Sequence, residues 1–266
     1  MPKTILITGA TDGIGLLTAK TLAAEGHKVL LHGRSAERLE AAAAEVGNNP
    51  EIYRADLSEL SAVVAFAEQV RARHERLDVL INNAGVLKAP ETRTNTGLDL
   101  RFVVNTLAPY VLTQKLLPLL PKDSRIVNLS SAAQAPVDVA ALRGKRELGD
   151  MDAYAQSKLA ITIWTQELAR AHPQGPVFVA VNPGSLLASK MVKEGFGIAG
   201  NDLSIGAHIL ARAAVSEDFA DASGRYFDND SGRFAPPNAA AGDPDHVAEV
   251  MAAIRELTEG VARTSR

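Results

Sequence analysis

The stretch TILITGATDGIG, residues 4–15, joins a short apolar run to glycines at positions 9, 13 and 15. The run predicts a buried strand over Thr4 to Thr8, and a helical pattern begins at Gly13. Gly9 permits a tight turn, Gly13 permits close approach of a ligand to the backbone, and Gly15 permits close helix–strand packing. A helix N-terminus here directs free N–H groups at an anion. The stretch therefore predicts a phosphate-binding strand–turn–helix unit, with an ordinary glycine-rich turn as the alternative.

Strands and helices alternate along the rest of the chain. Candidate strands are Thr4 to Thr8, Lys28 to His32, Glu51 to Arg54, Val79 to Asn82, Arg125 to Leu129, Val177 to Asn182 and Arg225 to Phe227. Candidate helices are Gly13 to Ala24, Ala36 to Val46, Leu60 to Arg73, Leu98 to Leu119, Met151 to Ala171, Ser204 to Ala214 and Asp245 to Leu257. Continuous apolar strands separated by helices indicate a parallel sheet covered on both faces. We predict an α/β fold: a single doubly wound Rossmann-type domain over residues 1–266, with a seven-stranded, mostly parallel sheet and helices on both faces.

Composition excludes several classes of function. The 266 residues are 46% hydrophobic and 22% charged, with a net charge of −3 and no cysteine. This slightly negative charge does not indicate a basic surface of the kind that binds nucleic acid or an anionic membrane. Without cysteine there are no disulfides, thiolate metal sites or cysteine nucleophiles. The six histidines lack metal-ligand spacing, so we predict no metal site and assign them no role. No signal peptide or transmembrane-length run is evident, and we expect a cytoplasmic protein.

The end of the second predicted strand indicates which dinucleotide would bind. An acidic residue here would bind the ribose hydroxyls of NAD and repel a 2′-phosphate. The chain has His32-Gly33-Arg34-Ser35 instead, with Arg38 one turn further on. A guanidinium suits a phosphate dianion, and a hydroxyl at Ser35 adds a hydrogen bond. The sequence predicts NADP(H) in preference to NAD(H); the alternative is that Arg34 is a solvated surface residue.

Tyr154 and Lys158 form the motif YxxxK within a predicted helix. Residues four apart lie on one helix face, so both side chains point into one site. Tyrosine ordinarily titrates near ~10, and a nearby ammonium lowers its pKa. The pair therefore predicts an activated phenol, whereas the alternative is an exposed surface pair.

These motifs together resemble the short-chain dehydrogenase/reductase family over Thr4 to Ala214. The resemblance rests on the TGxxxGxG spacing from Thr8 to Gly15, Asn82-Asn83-Ala84-Gly85 after the fourth strand, Asn105, Ser131, Tyr154 with Lys158, and Asn182-Pro183-Gly184. The long segment 132–153 between Ser131 and Tyr154 is similar to the retinol-dehydrogenase-like branch and to actinobacterial ketoreductases.

The resemblance implies four catalytic residues. Tyr154 would be the general acid/base, and Ser131, which matches the family's serine better than its neighbour Ser130, would position and polarise the substrate carbonyl. Lys158 would lower the pKa of the tyrosine and hold the nicotinamide ribose. Asn105 would support a water in the proton relay; a satisfied core polar group is the alternative.

The resemblance also implies the residues that contact the dinucleotide. Asp56-Leu57 would contact the adenine, and Asn83 to Gly85 would place backbone against the adenosine ribose. The expected cofactor-binding residues are Gly9, Thr11, Asp12, Gly13, Ile14, Gly15, Arg34, Ser35, Asp56, Leu57, Asn83, Ala84, Gly85, Asn105, Tyr154, Lys158, Pro183, Gly184 and Ser189. Ser189 would replace a threonine that many family members have a few residues after the glycine, and its register is open.

Two segments are expected to border the substrate. Residues 132–153 would form a flap over the cleft. The substrate loop, about residues 186–201, carries Leu187, Met191 and Phe196. These apolar residues indicate either a hydrophobic or bulky substrate or simple packing of the loop on the body of the protein.

We therefore expect an NADP(H)-dependent oxidoreductase that interconverts a carbonyl and an alcohol by hydride transfer. Its partner would be a small-molecule ketone, aldehyde or alcohol; monomeric and homo-oligomeric states both stay open. One alternative is a non-catalytic NADP-sensing protein on the same fold. A second is a sugar-nucleotide epimerase or dehydratase, but that branch favours TGxxGxxG and a longer C-terminal domain, and the chain has neither.

Overall fold

A computed structural model describes residues 1–185, Leu187 and residues 200–263, with side chains to residue 260. The strands are β1 (Thr4–Ile7), β2 (Lys28–Gly33), β3 (Glu51–Arg54), β4 (Val79–Asn82), β5 (Arg125–Leu129), β6 (Val177–Asn182), β7 (Arg225–Asp228) and β8 (Arg233–Ala235). The helices are α1 (Gly13–Ala24), α2 (Ala36–Val46), α3 (Leu60–Arg73), α4 (Leu100–Phe102), α5 (Ala108–Leu116), α6 (Val139–Leu142), α7 (Asp150–Ala171), α8 (Leu203–Val215) and α9 (Pro244–Arg263). No helix in these ranges is long and apolar enough to cross a bilayer.

The strands form one sheet in the order β3-β2-β1-β4-β5-β6-β7-β8. All neighbours are parallel except β7 and β8, which pair antiparallel. The predicted α/β doubly wound fold is therefore confirmed, but the sheet has eight strands rather than seven. The sequence analysis missed β8 because it is only three residues long and lies in a stretch rich in proline and glycine. Phe234 on β8 packs against Phe227 and Phe219, at ring-centroid distances of 5.1 and 5.3 Å.

Two apolar layers enclose the sheet because alternate strand residues point to opposite faces. Leu6, Leu30 and Leu80 pack with α3, α5, α7 and α9 on one face. Ile5, Ile7 and Val29 pack with α1, α2 and α8 on the other. The continuous apolar strands in the sequence follow from this double coverage.

The predicted helix from Leu98 to Leu119 is interrupted. After α4 comes a π-helical segment, Val103–Leu107, in which the Ala108 N–H bonds to the carbonyl of Val103. The next residue, Pro109, has no N–H; in an α-helical register it would bond to the carbonyl of Asn105. Proline thus explains why the helix changes register here. Single π-helical turns are frequent at functional sites, and this one contains Asn105.

A buried arginine joins this segment to α7. Arg101, 1% exposed, pairs with Asp99 at 2.8 Å and with Asp150, the first residue of α7, at 3.0 Å. A buried guanidinium needs such partners to offset its desolvation. The pairing fixes the start of α7 relative to the π-helical segment, and these are the two elements that carry Asn105, Tyr154 and Lys158.

Candidate active site

A cleft of about 1760 Å³ opens at the carboxyl ends of the parallel strands. Its walls contain every described residue of the expected cofactor-binding and catalytic sets except Asn105: Gly9, Thr11, Asp12, Gly13, Ile14, Gly15, Arg34, Ser35, Asp56, Leu57, Asn83, Ala84, Gly85, Ser131, Tyr154, Lys158, Pro183 and Gly184. Ser189 and most of the substrate loop 186–201 lie outside the described residues. The topology therefore brings residues from six separate loops to one cavity.

Gly9 and Gly15 of the glycine loop are packed too closely to accept side chains. Gly9 has φ of +65°, a conformation that favours glycine. A Cβ on Gly15 would lie 2.3 Å from the carbonyl oxygen of Gly9. The Asn83 amide donates to the carbonyls of Thr8 and Gly9 at 2.9 and 3.0 Å. The loop after β4 thus holds the glycine loop in shape.

Sequence reasoning missed a second support of this loop, His32. Its buried imidazole accepts a hydrogen bond from Gly9 N–H at Nδ1 (3.3 Å) and lies 3.2 Å from the Ala55 carbonyl at Nε2. The ring also stacks on Phe66, with centroids 4.7 Å apart. Burial lowers the pKa of His32 to about 4, so the ring is neutral at pH 7. The sequence signal that could have indicated this role is a histidine inside an otherwise apolar strand.

Arg34 and Ser35 lie at the end of β2 on the wall of the cleft. Ser35 caps α2, since its hydroxyl accepts from Arg38 N–H at 3.3 Å. The Arg38 guanidinium is paired with Asp12 at 2.7 Å, and both side chains are exposed. Asp12 also accepts from Gly13 N–H at 2.7 Å. A carboxylate therefore already occupies one of the amide donors expected to bind phosphate.

Tyr154 and Lys158 lie one turn apart on α7 and face the cleft. The Lys158 ammonium is 5.6 Å from the tyrosine ring centroid and donates to the Leu129 carbonyl at 2.8 Å. Burial lowers the pKa of Lys158 to about 8. Ser131 contacts the Tyr154 hydroxyl through its own hydroxyl, whose oxygen also accepts from Ala133 N–H at 3.1 Å. The three side chains thus line the same part of the cleft.

The expected lowering of the tyrosine pKa is not found. Burial raises the pKa of Tyr154, and the hydrogen bond with Ser131 opposes that rise only in part. The ammonium of Lys158 is directed at the Leu129 carbonyl rather than at the phenol oxygen. The site therefore favours the neutral phenol, which can donate a proton.

Asn105 lies behind the wall of the cleft and is 1% exposed. Its amide oxygen accepts from Val86 N–H at 2.8 Å, and its amide nitrogen donates to the Val86 carbonyl and the Ser157 hydroxyl at 2.9 Å each. The side chain thus joins the loop after β4 to α7. This geometry is that of a satisfied core amide.

The turn at Pro183 and Gly184 is held by the loop between β7 and β8. Asn229 donates to the Pro183 carbonyl at 2.9 Å, and Asp230 accepts from Ser185 N–H at 2.8 Å. Gly184 has φ of +122°, which a side chain would strain.

The segment 132–153 borders the cleft through Ala132, Ala133, Arg143 and Met151. It contains α6 and is attached to α9 by the Arg143–Glu256 ion pair at 2.8 Å. His246 of α9 also accepts a hydrogen bond from Val137 N–H at 3.2 Å. The segment is thus docked against the C-terminal helix.

Comparison with known proteins shows the family to which the chain belongs. The sequence model of short chain dehydrogenases matches residues 3–197. The chain belongs to the short chain dehydrogenase family. It is therefore an oxidoreductase of a family that binds nicotinamide cofactors. Among curated relatives, human retinol dehydrogenase 13 is 35% identical over 89% of this chain and 79% of its own length. Mouse retinol dehydrogenase 12 is 34% identical over 85% of this chain and 77% of its own length.

Similar solved structures agree with the fold. A protein from Mycobacterium paratuberculosis superposes with a TM-score of 0.80 at 30% identity, covering 97% of this chain and 93% of that one. A short chain dehydrogenase from Escherichia coli CFT073 complexed with NADPH gives a TM-score of 0.70 at 28% identity, covering 85% and 96%. Within the described ranges, no three or more His, Cys, Asp or Glu residues are grouped so that they could hold a metal ion.

His32 predicts a pH dependence of stability. Its pKa is about 4 in the folded protein and 6.5 ordinarily, so the unfolded chain binds the proton more readily. Stability falls as pH drops from 6.5 towards 4, by about 3 kcal/mol from this group. Urea unfolding across this range should show a steeper loss for the wild type than for His32→Gln. His208→Gln, at an exposed imidazole, is the control. Parallel curves for wild type and His32→Gln would contradict this role.

Proposed function

We propose that this protein is an NADP(H)-dependent oxidoreductase that interconverts a ketone or aldehyde and an alcohol by hydride transfer. The observation that carries the proposal is the convergence of Ser131, Tyr154 and Lys158 in the cleft at the carboxyl ends of β4, β5 and β6. Residues 1–266 would act as a single domain, because both apolar layers pack on one sheet.

The residues of the cleft fit a dinucleotide. The glycine loop leaves free space beside Gly13, where an added Cβ would meet nothing within 4 Å, and the Asp12 carboxylate bonded to the Gly13 N–H is exposed. The cavity extends from Arg34 past the glycine loop to Tyr154 and Pro183, a path with room for both halves of the cofactor. The bound nicotinamide would supply the hydride, and the protein would supply position and proton transfer.

Tyr154 would donate the proton to the substrate oxygen during carbonyl reduction. Its raised pKa keeps the phenol protonated at neutral pH, which suits a general acid. Ser131 would hydrogen-bond the same oxygen as negative charge develops on it. Because the Ser131 oxygen already accepts from Ala133 N–H, its own proton is available to donate.

Lys158 and Asn105 would support this acid. The ammonium of Lys158, held near the floor of the cleft by the Leu129 carbonyl, would bind the nicotinamide ribose. Asn105 would anchor the proton relay from the π-helical segment, where Pro109 removes the α-helical donor to its carbonyl. The Asn105 side chain is fully occupied by Val86 and Ser157, which leaves the backbone for this role.

Preference for NADP(H) is supported by Arg34 and by the absence of an acid at the end of β2. The similarity to the Escherichia coli structure that contains NADPH points the same way. The carboxylate of Asp12 would repel a 2′-phosphate, but its ion pair with Arg38 neutralises part of the negative charge of the carboxylate.

The substrate would be a hydrophobic carbonyl compound. The cleft beyond Tyr154 presents Leu87, Leu98, Val104 and Met151, and Met151 is 41% exposed. Apolar side chains on a cleft wall favour ligands that bury carbon. The curated relatives named retinol dehydrogenases support the same class.

Tyr154→Phe should lower kcat for NADPH-dependent reduction by about 100- to 10,000-fold, the usual contribution of a general acid. Binding of NADPH, followed by its fluorescence, should change less than threefold (roughly 0.6 kcal/mol). Tyr110→Phe, at a buried tyrosine packed on Trp164 away from the cleft, is the matched control. A panel of ketones, quinones and aldehydes supplies the substrates. Turnover in Tyr154→Phe like that of the wild type would overturn the proposal, and NADPH binding without turnover by the wild type would favour a sensing protein.

Arg34→Ala should lower kcat/KM for NADPH by about 10- to 100-fold, since a hydrogen bond to a charged group contributes about 1.5–3 kcal/mol. The value for NADH should stay nearly unchanged because NADH lacks the 2′-phosphate. Arg170→Ala, an exposed arginine at the far end of α7, is the control. Equal losses with both cofactors, or a wild-type preference for NADH, would refute the assignment.

A further inference from the structure

We propose that Tyr226 and Gln134 are positioning residues that orient Ser131 by donating together to its main-chain carbonyl. The inference rests on the proposed function, because its effect on catalysis passes through Ser131. Tyr226 donates to this carbonyl at 3.0 Å and Gln134 at 2.9 Å. Two donors fill both lone pairs of a carbonyl oxygen.

Ser131 needs this support because the sheet no longer holds it. Strand β5 ends at Leu129, and the last bond that continues its pairing with β6 runs from Ser130 N–H to Val181 at 2.9 Å. Ser131 therefore lies between the end of β5 and the segment 132–153, outside the strand pairing. Fixing its carbonyl fixes the peptide plane that follows Cα, and with it the direction of the side chain.

The orientation of the Ser131 hydroxyl follows from the position of its main chain. Its oxygen accepts from Ala133 N–H at 3.1 Å within the same turn. A shift of the Ser131 peptide would move both this contact and the contact with Tyr154. The two carbonyl donors thus set where the serine proton points.

The Tyr226 phenol acts as a hydrogen-bond donor to the Ser131 carbonyl. It is 5% exposed on β7, opposite Ala180 of β6. Burial and the nearby carboxylates of Asp228 and Asp230 raise the pKa of its phenol, which therefore keeps its proton. A phenol that stays protonated is a permanent donor to the Ser131 carbonyl.

Gln134 is oriented by the C-terminal part of the chain. Its amide oxygen accepts from Asn238 N–H at 3.0 Å, and Asn238 returns a bond to the Gln134 carbonyl at 3.3 Å. The amide nitrogen must then face Ser131 and Ser130, at 2.9 and 3.3 Å. The stretch after β8 and the strand β7 thus meet at the residue that polarises the substrate.

The test is a double-mutant cycle on kcat/KM with Tyr226→Phe, Ser131→Ala and the combined variant. Tyr226→Phe should cost about 3- to 10-fold alone, the loss of one hydrogen bond (about 0.5–1.5 kcal/mol), and less than twofold in the Ser131→Ala background. NADPH affinity should stay unchanged. In alcohol oxidation, Tyr226→Phe and Ser131→Ala should each shift the pH profile of kcat to higher pH, because the Ser131 bond lowers the pKa of Tyr154.

Gln134→Glu provides an independent test if Tyr226→Phe fails to fold. This variant keeps the acceptor for Asn238 N–H but replaces the donor to the Ser131 carbonyl. Its loss of kcat/KM should likewise be smaller in the Ser131→Ala background than in the wild type. Tyr110→Phe should leave kcat/KM and the pH profile unchanged. Equal losses with and without Ser131 would overturn the inference while leaving the proposed function intact if Tyr154→Phe remains inactive. A wild-type protein that reduces no carbonyl compound would overturn both.

Discussion

The bond from the Lys158 ammonium to the Leu129 carbonyl joins α7 to the end of β5 and determines the geometry of the site. Lys158 is buried, and burial lowers its pKa to about 8. Desolvation of the ammonium is therefore unfavourable, and the hydrogen bond to the Leu129 carbonyl does not offset it fully. With Lys158 fixed, Tyr154 lies one turn earlier on α7, opposite Ser131 just beyond β5. A shift of either element would separate Tyr154 from Ser131, the pair that we propose as acid and polarising group.

The rest of the cleft depends on backbone groups held by buried polar side chains. Asn83 and His32 hold the glycine loop, Asn105 holds the loop after β4, and Asn229 holds the turn at Pro183. Loops at the ends of strands have no ladder partners of their own, so their carbonyl and N–H groups must be satisfied in this way. The loops that line the cleft are thus held by hydrogen bonds from side chains.

Sequence patterns predicted the fold, and they picked out residues that line one cleft in the structure, because their signals are local. The glycine loop, the apolar strands and YxxxK each carry their geometry within a few residues. The missed features depend on contacts distant in sequence. Strand β8 exists through pairing with β7, and Tyr226 meets Ser131 across the sheet. The pKa of Tyr154 depends on burial, which its helix spacing does not reveal. Pro109 was a local signal for the break in the helix, because it lacks the N–H needed there.

We propose above all that the phenol of Tyr154 and the ammonium of Lys158 face the same reacting end of a bound dinucleotide. A crystal structure of the protein with NADPH would test this placement. We predict the nicotinamide ring between Tyr154 and the turn at Pro183, with Lys158 in hydrogen-bond contact with the adjoining ribose and the adenosine phosphate at Arg34. A nicotinamide bound outside this part of the cleft, out of contact with both Tyr154 and Lys158, would contradict it.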